Sequence, residues 1–322
     1  MKRRSFIHLS SVASAAYLIP PVVLPSFKSN KMEFKALYDV LRPQMLDSLE
    51  KSKVTFGKSL LIHSPDKSRY YQGLWPDDFL YPMLVEDGLC EKDMLTEIAS
   101  FLTDSIVDLE VFPDRIEADG MPVMQPGVLS KPHAHKMPLH LPAAWIRLID
   151  NLEQCGAEIP RKEDWAAIFK RSVNSISFSC GLAYVDPQSP YVSFGVHDPE
   201  AITGFELMSS LVLHYGLKRA SRFLKGYIGE EDILKWNRLS ECIPKNLWRL
   251  FDEEKGAYLA GSKDCRQVNV WANGLAYWIT THEIQKSIVQ FYKDNRHAIF
   301  YKGFTRQIAE PGVGSAIWSH TK

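Results

Sequence analysis

Carboxylates collect at three places in the chain, each beside an aromatic residue or a histidine and each just ahead of an apolar run. The first is Tyr70-Tyr71-Gln72-Gly73-Leu74-Trp75-Pro76-Asp77-Asp78-Phe79, where two adjacent acids follow a Trp-Pro pair. Such a pair accepts charge-assisted hydrogen bonds from ligand hydroxyls. It equally suits a helix N-cap. The second is Phe112-Pro113-Asp114-Arg115-Ile116-Glu117-Ala118-Asp119-Gly120, dense in groups that can pair with one another and closing on an Asp-Gly turn. The third is Phe194-Gly195-Val196-His197-Asp198-Pro199-Glu200. A carboxyl beside a histidine and a helix start has a proton affinity open to tuning, which is what proton transfer requires. Asp198 also reads as a cap, with Pro199 at the first helical position.

Other chemistries have less to stand on. His133, His135 and His140 lack the His-x-x-x-His spacing of a helical metal pair, and no cysteine lies nearby, so no metal site is expected. There is no Gly-rich phosphate loop and no Gly-x-Ser-x-Gly elbow, so no nucleotide cofactor or serine hydrolase is expected either. Lys+Arg and Asp+Glu both number 38, which gives nucleic acid no basic surface to bind.

The elements that must carry these residues read as helices. Apolar residues recur at helical spacing in Phe34–Leu49, in Trp165–Ile176, in Ile202–Tyr215 (one helix to about residue 222) and in Leu239–Leu250, where Pro244 predicts a kink or a late start. Further helices are expected near 78–86, 91–109, 138–153, 268–283 and 285–293. Strand-like alternation is short, at about 182–185 and 256–259. The stretches 110–137 and 181–201 are long and rich in Pro, Gly, Asp and His. Loops of that length in a compact domain are usually functional. Helical hairpins alternating with long loops suit a toroid with its site at one end.

The N-terminus sets the compartment. Lys2, Arg3 and Arg4 precede Ser5-Phe6-Ile7 and a weakly apolar stretch to Leu24, resembling a twin-arginine export signal. The stretch is too short and too broken for a stable membrane span. Residues 1–30 are therefore expected to be the signal and 31–322 one domain, periplasmic or secreted. Export permits disulfides, yet the five scattered cysteines include no Cys-x-x-Cys pair, and free buried thiols are expected.

In order and spacing, the segments from about residue 60 to 310 resemble the six-hairpin glycosidase superfamily, which includes glucoamylases and trehalases. Trp75-Pro76-Asp77-Asp78 is similar to a Trp-x-Arg-Asp segment that grips a terminal sugar in several of its families, with Asp77 where the arginine would stand. Phe194–Asp198, Thr203-Gly204 and Ser209-Ser210-Leu211 are similar to the stretch where many relatives place the general acid. Phe251–Tyr258 and Val270–Gly274 are similar to a later stretch, with Asn269 where an aspartate is common. The resemblance implies an all-α, (α/α)6-type toroid. About nine of its twelve helices are visible, and Gly303–Gln307 resembles a segment that precedes further hairpins in relatives.

It also implies glycoside hydrolysis by two carboxyl groups, or binding of a small saccharide or glycan end on the same fold. Asp198 is the expected general acid and Glu310 the expected base. Trp75, Asp77, Asp78, Glu117, Asp119 and His197 are expected to hold the sugar. Two alternatives stay open: a non-catalytic carbohydrate-binding or shortened relative, and an epimerase or lyase on the same toroid with His197 as base.

Overall fold

A computed structural model of the chain describes residues 53–56, 60–63, 73–76, 92–124, 137–189, 202–301 and 304–305. Among them are eight α-helices and a set of strands two to four residues long. Every strand pair is antiparallel. The fold is all-α, with its helices paired into hairpins of the (α/α) toroid type.

In chain order, β1 (Lys53–Phe56) and β2 (Leu60–His63) form a ribbon, followed by β3 (Gly73–Leu74) and α1 (Lys92–Ile106). A hairpin of β4 (Arg115–Glu117) and β5 (Pro122–Val123) leads to α2 (Leu141–Gln154), then α3 (Lys162–Ser175). Strands β6 (Phe178–Ser179), β7 (Leu182–Val185) and β8 (Gly204–Phe205) lead to α4 (Leu207–Phe223) and α5 (Glu230–Asn246). After a 3₁₀ turn at Leu247–Leu250, β9 (Phe251–Asp252) and β10 (Ala257–Tyr258) lead to α6 (Val270–Ala276) and α7 (His282–Asp294). The short α8 (Arg296–Ile299) and the ribbon of β11 (Phe300–Tyr301) and β12 (Phe304–Thr305) follow.

Two kinds of helix alternate, and burial tells them apart. In α2 almost every residue from Leu141 to Leu152 is buried, and α4 and α6 are buried over most of their length. Helices that are buried nearly all round belong to an inner layer. By contrast α5 buries only Trp236, Ser240 and Ile243, and α7 only Ile288 and Phe291. Those are the single apolar stripes of an outer layer. Inner neighbours touch each other, α2 against α4 and α4 against α6. Outer neighbours do too, with Phe169 of α3 meeting Trp236 of α5 edge to face at 4.7 Å, and Trp165 Nε1 donating to Thr103 Oγ1 of α1 at 2.9 Å.

The inner helices approach closely because their sequences are small at the crossings. A Cβ placed on Gly216 of α4 would stand 2.2 Å from the Cβ of Ala143 in α2. Charge is handled inside the same contact. Asp150 of α2, 5% exposed, meets Arg219 Nε at 3.1 Å and Arg222 Nη2 at 3.2 Å, both from α4.

Most helix expectations are met within a few residues of their bounds. Two differ. Ile202 and Phe205 lie ahead of α4 rather than in it, because Gly204 takes a left-handed conformation (φ +77°) and Phe205 pairs with Tyr184 in a sheet. Helix α5 begins at Glu230, nine residues before the apolar pattern becomes regular, and Pro244 falls in its last turn. Three acids in its first turn, Glu230, Glu231 and Asp232, suit the helix dipole there. The helices expected at 34–49 and 78–86 lie outside the described residues.

The cysteines differ from expectation as well. Cys155, Cys180 and Cys242 are exposed, and Cys265 alone of the four described is buried. The three exposed ones sit at the end of α2, in a turn and on the outer helix α5, while Cys265 packs with Ile202 and Ala260. Cys90 lies outside the described residues. Also among the described residues, no helix is long and apolar enough to cross a membrane.

Candidate functional site

Because inner and outer helices alternate as hairpins, the inner helices run parallel and their N-termini share one end of the toroid. The short sheets gather at that end. The β4–β5 hairpin precedes α2, the β6–β7–β8 sheet precedes α4, and the β9–β10 ribbon precedes α6. The described parts of the two long loops singled out in the sequence, 110–124 and 181–189, therefore lie at that end.

Each inner helix starts with a buried polar side chain: His140 at α2, Glu206 at α4 and Asn269 at α6. Asn269 accepts from Ala272 N through Oδ1 at 2.9 Å, while its Nδ2 has no hydrogen-bond partner among the described residues. An orphaned buried donor is uncommon and marks a place where polarity is held in reserve. This is the position where the resemblance expected an aspartate.

Glu206 is fully buried and caps α4, accepting from Met208 N at 3.0 Å and Ser209 N at 2.6 Å. Burial raises its proton affinity to about 7, and it outweighs the hydrogen bond from the Ser209 side chain, the two amide hydrogen bonds and the nearby His140, all of which favour the charged form. The carboxyl thus gains and loses its proton near neutrality. Its surroundings are tightly tied. Leu207 N donates to Ala260 O at 3.0 Å, Phe205 N donates to Ser262 Oγ at 2.8 Å, and Ala183 N donates to Ser210 Oγ at 3.0 Å. Thr203 Oγ1 and Asp264 hydrogen-bond across the same strap.

A second cluster joins two of the sequence-expected stretches. Gly73 pairs with Glu117 and Leu74 with Ile116, so β3 delivers Trp75 to the β4–β5 hairpin. Trp75 Nε1 donates to Asp114 Oδ2 at 3.1 Å, and the Arg115 guanidinium lies 5.2 Å from the Trp75 ring centroid. Arg115 Nε donates to Glu117 Oε1 at 2.6 Å. The sequence has no arginine directly after Trp75-Pro76, yet one stands beside this tryptophan, supplied by another strand. The cluster is fastened to the inner layer through Trp145 of α2, whose Nε1 donates to Pro113 O at 2.7 Å.

Of the expected site residues, Trp75 and Glu117 therefore come together. Asp119 is exposed and serves the turn, its Oδ1 accepting from Met121 N at 3.0 Å with Gly120 at φ +89°. Asp77, Asp78, His197, Asp198 and Glu310 lie outside the described residues, as do His133 and His135. Glu206 was not singled out by sequence, Asp114 was noted only as part of its stretch, and Asn269 only as standing where the resemblance has an aspartate. The only local signal for Glu206 is Thr203-Gly204 just before it, a turn that ends the loop rather than continuing a helix. Among the described residues no three His, Cys, Asp or Glu side chains come together as a metal site would require.

No protein-family model matches the chain, and no curated protein is similar to it in sequence. Among solved structures, a rhamnosidase from Klebsiella oxytoca with rhamnose bound is similar over 72% of this chain, with a TM-score of 0.50 and 16% identity. The match covers 43% of that rhamnosidase, so the chain spans less than half the length of this neighbour. At that identity the likeness is one of fold, and the fold is of a kind that a glycosidase uses.

Proposed function

We propose that this chain is an exported glycoside hydrolase-like protein that cleaves or binds a small saccharide or a glycan end by two-carboxylate acid/base chemistry. The observation that carries the reading is the shared end of the inner helices. There a glycosidase-type fold gathers buried polar caps, a carboxyl that titrates near neutrality, and the Trp75–Arg115–Glu117 cluster. Hydrolysis of a glycosidic bond needs an acid for the leaving oxygen and a base for the attacking water, and such an end supports this reading. The rhamnose bound by the structural neighbour supports a monosaccharide-sized ligand for the site.

In this proposal Asp198, on the loop that ends at the α4 cap, is the general acid, and Glu310 is the base. Trp75, Asp77, Asp78, Glu117, Asp119 and His197 surround the sugar. Glu206 is a positioning residue that fixes the end of the Asp198 loop to α4. A second reading exchanges two roles and makes Glu206 the acid, favoured by its proton affinity near 7. The Asp198→Asn and Glu206→Gln variants separate them.

In the first reading Asp198→Asn lowers kcat by at least about 10²-fold with saccharide binding retained, as loss of an acid catalyst does. Glu206→Gln then shifts the pH profile without abolishing turnover. In the second reading the outcomes exchange. Unchanged turnover in both variants sinks the two-carboxylate proposal. Delivery outside the inner membrane is proposed to depend on Arg3 and Arg4. Lys at both positions should leave the protein in the cytoplasm by fractionation, and continued export would show that another signal acts.

A further inference from the structure

Next to the α4 cap, three aromatic rings and one guanidinium follow one another at short distances. Tyr184 of β7 and Phe205 of β8 face each other across the sheet, edge to face at 5.9 Å. The Arg249 guanidinium lies 5.9 Å from the Phe205 ring centroid and 4.6 Å from that of Trp248. Trp248 is 62% exposed, the most exposed of the large hydrophobic side chains among the described residues. The 3₁₀ turn at Leu247–Leu250 that carries Trp248 and Arg249 follows the C-terminus of α5. The α4–α5 hairpin returns that terminus to the end where α4 begins. The stack therefore stands at the rim of the candidate site, and Phe205 is the residue directly before Glu206.

The polar atoms of the stack are uncommitted. Among the described residues Arg249 makes no hydrogen bond and no ion pair, and its guanidinium lies over the two rings. Neither Tyr184 Oη nor Trp248 Nε1 has a hydrogen-bond partner there. A guanidinium that stacks by its face keeps its N–H donors, which lie in its plane, for another acceptor. Those donors match a carboxylate two at a time. An exposed tryptophan beside them presents the flat apolar area that a sugar's C–H face covers. A neutral ligand would use the rings and leave the charge unmatched.

We propose that Tyr184, Phe205, Trp248 and Arg249 form a subsite for a saccharide unit bearing a carboxylate, a uronate, next to the sugar handled at the inner-helix end. Arg249 pairs with the carboxylate and Trp248 takes the ring face. The inference rests on the saccharide reading above and adds the charge of the neighbouring unit.

Calorimetric titration of the full chain with tri-galacturonate, a glucuronate-containing trisaccharide and neutral maltotriose tests it. The expected result is binding of an acidic probe in preference to maltotriose, weakened about tenfold or more in Arg249→Gln and in Trp248→Ala, and weakened by added salt. Both residues are exposed, so the variants should keep the wild-type thermal transition, which is measured alongside. Binding of acidic probes that neither variant alters overturns the subsite while leaving the saccharide reading in place. Equal binding of the neutral probe overturns the uronate assignment in the same way. No binding of any acidic probe to the wild-type chain also overturns the subsite, and turnover in the Asp198 and Glu206 variants then judges the saccharide reading separately.

Discussion

Trp75 shows how a single side chain can be read in two ways until its partners are known. Beside Asp77-Asp78 it suggested a sugar platform, and in the structure it donates to Asp114, a residue only 4% exposed, while Arg115 lies against its ring. Replacing it with phenylalanine keeps most of the apolar surface and removes one donor from a buried carboxylate. Trp75→Phe should therefore cost about 1–3 kcal/mol of stability, read from denaturant unfolding. A cost near zero would mean that Asp114 is held by its other partners. The pairing of Trp75 with the Glu117 stretch was partly legible, since both stretches were singled out, but spacing along a chain does not say which loops meet. Glu206 was barely legible, its one local signal being the Thr203-Gly204 turn before it. Apolar Ile202 and Phe205 extend the helical pattern of α4 backward, so Glu206 looked like a residue inside a helix. The chain chose a sheet there because Gly204 turns left-handed and Phe205 finds a cross-strand partner in Tyr184. That pairing comes from a strand some twenty residues earlier, and no local pattern contains it.

At the scale of elements, the contact between α2 and α4 rests on the absence of a methyl group. A Cβ on Gly216 would meet the Cβ of Ala143 at 2.2 Å and its Cα at 2.7 Å. Alanine in mid-helix is favoured over glycine by about 1 kcal/mol. Overpacking a tight contact costs about 1–3 kcal/mol, and here the obstruction includes backbone, which cannot rotate away. The second effect should win, so Gly216→Ala lowers the unfolding midpoint. Adding Ala143→Gly should recover only part of the loss, because the Cα remains in the way. A more stable Gly216→Ala variant would show that the two helices can separate freely. The outer helices were legible from their stripes, as in Trp165, Ile168, Phe169 and Val173 of α3, because one apolar face against a polar one leaves a 3.6-residue period. The inner helices were legible by length and composition but not by bounds. A helix buried all round has little periodicity to mark its ends, and the ends here are set by caps that tertiary partners select. The (α/α) arrangement itself entered through resemblance, since periodicity finds helices and does not order them around an axis.

For the whole molecule, stability is coupled to pH through two buried groups on α4 that act in opposite directions. Glu206 has a folded proton affinity raised to about 7 from an ordinary 4.5, chiefly by burial. Between those values the folded state holds a proton that the unfolded chain has released. Stability from this group is therefore full below about pH 4.5 and is lost as pH rises through 7, by an amount on the order of 3 kcal/mol. His214 is the converse case. Burial lowers its proton affinity, Lys218 lowers it further, and the hydrogen bond to Ser240 O opposes them. Its ring bridges α4 to α5, with Nδ1 at 2.8 Å from Ser240 O and Nε2 at 3.4 Å from Lys218 Nζ. With the lysine charged, that geometry suits a neutral ring that donates from Nδ1 and accepts at Nε2. Its contribution is present above its ordinary value of 6.5 and is lost as pH falls below it. Unfolding of the wild-type chain, Glu206→Gln and His214→Gln at pH 5 and pH 8 separates the two. Glutamine at 206 keeps an acceptor for the α4 amides and carries no charge, so its stability relative to wild type should be higher at pH 8 than at pH 5. Glutamine at 214 loses the bridge at both pH values, yet relative to wild type it should fare better at pH 5, where the histidine itself resists protonation. A relative stability of Glu206→Gln that does not change between the two pH values would mean that the buried cap keeps one protonation state across the range. The neutral-pH switching of this end of the toroid would then be lost, and with it the support for the second reading of the site.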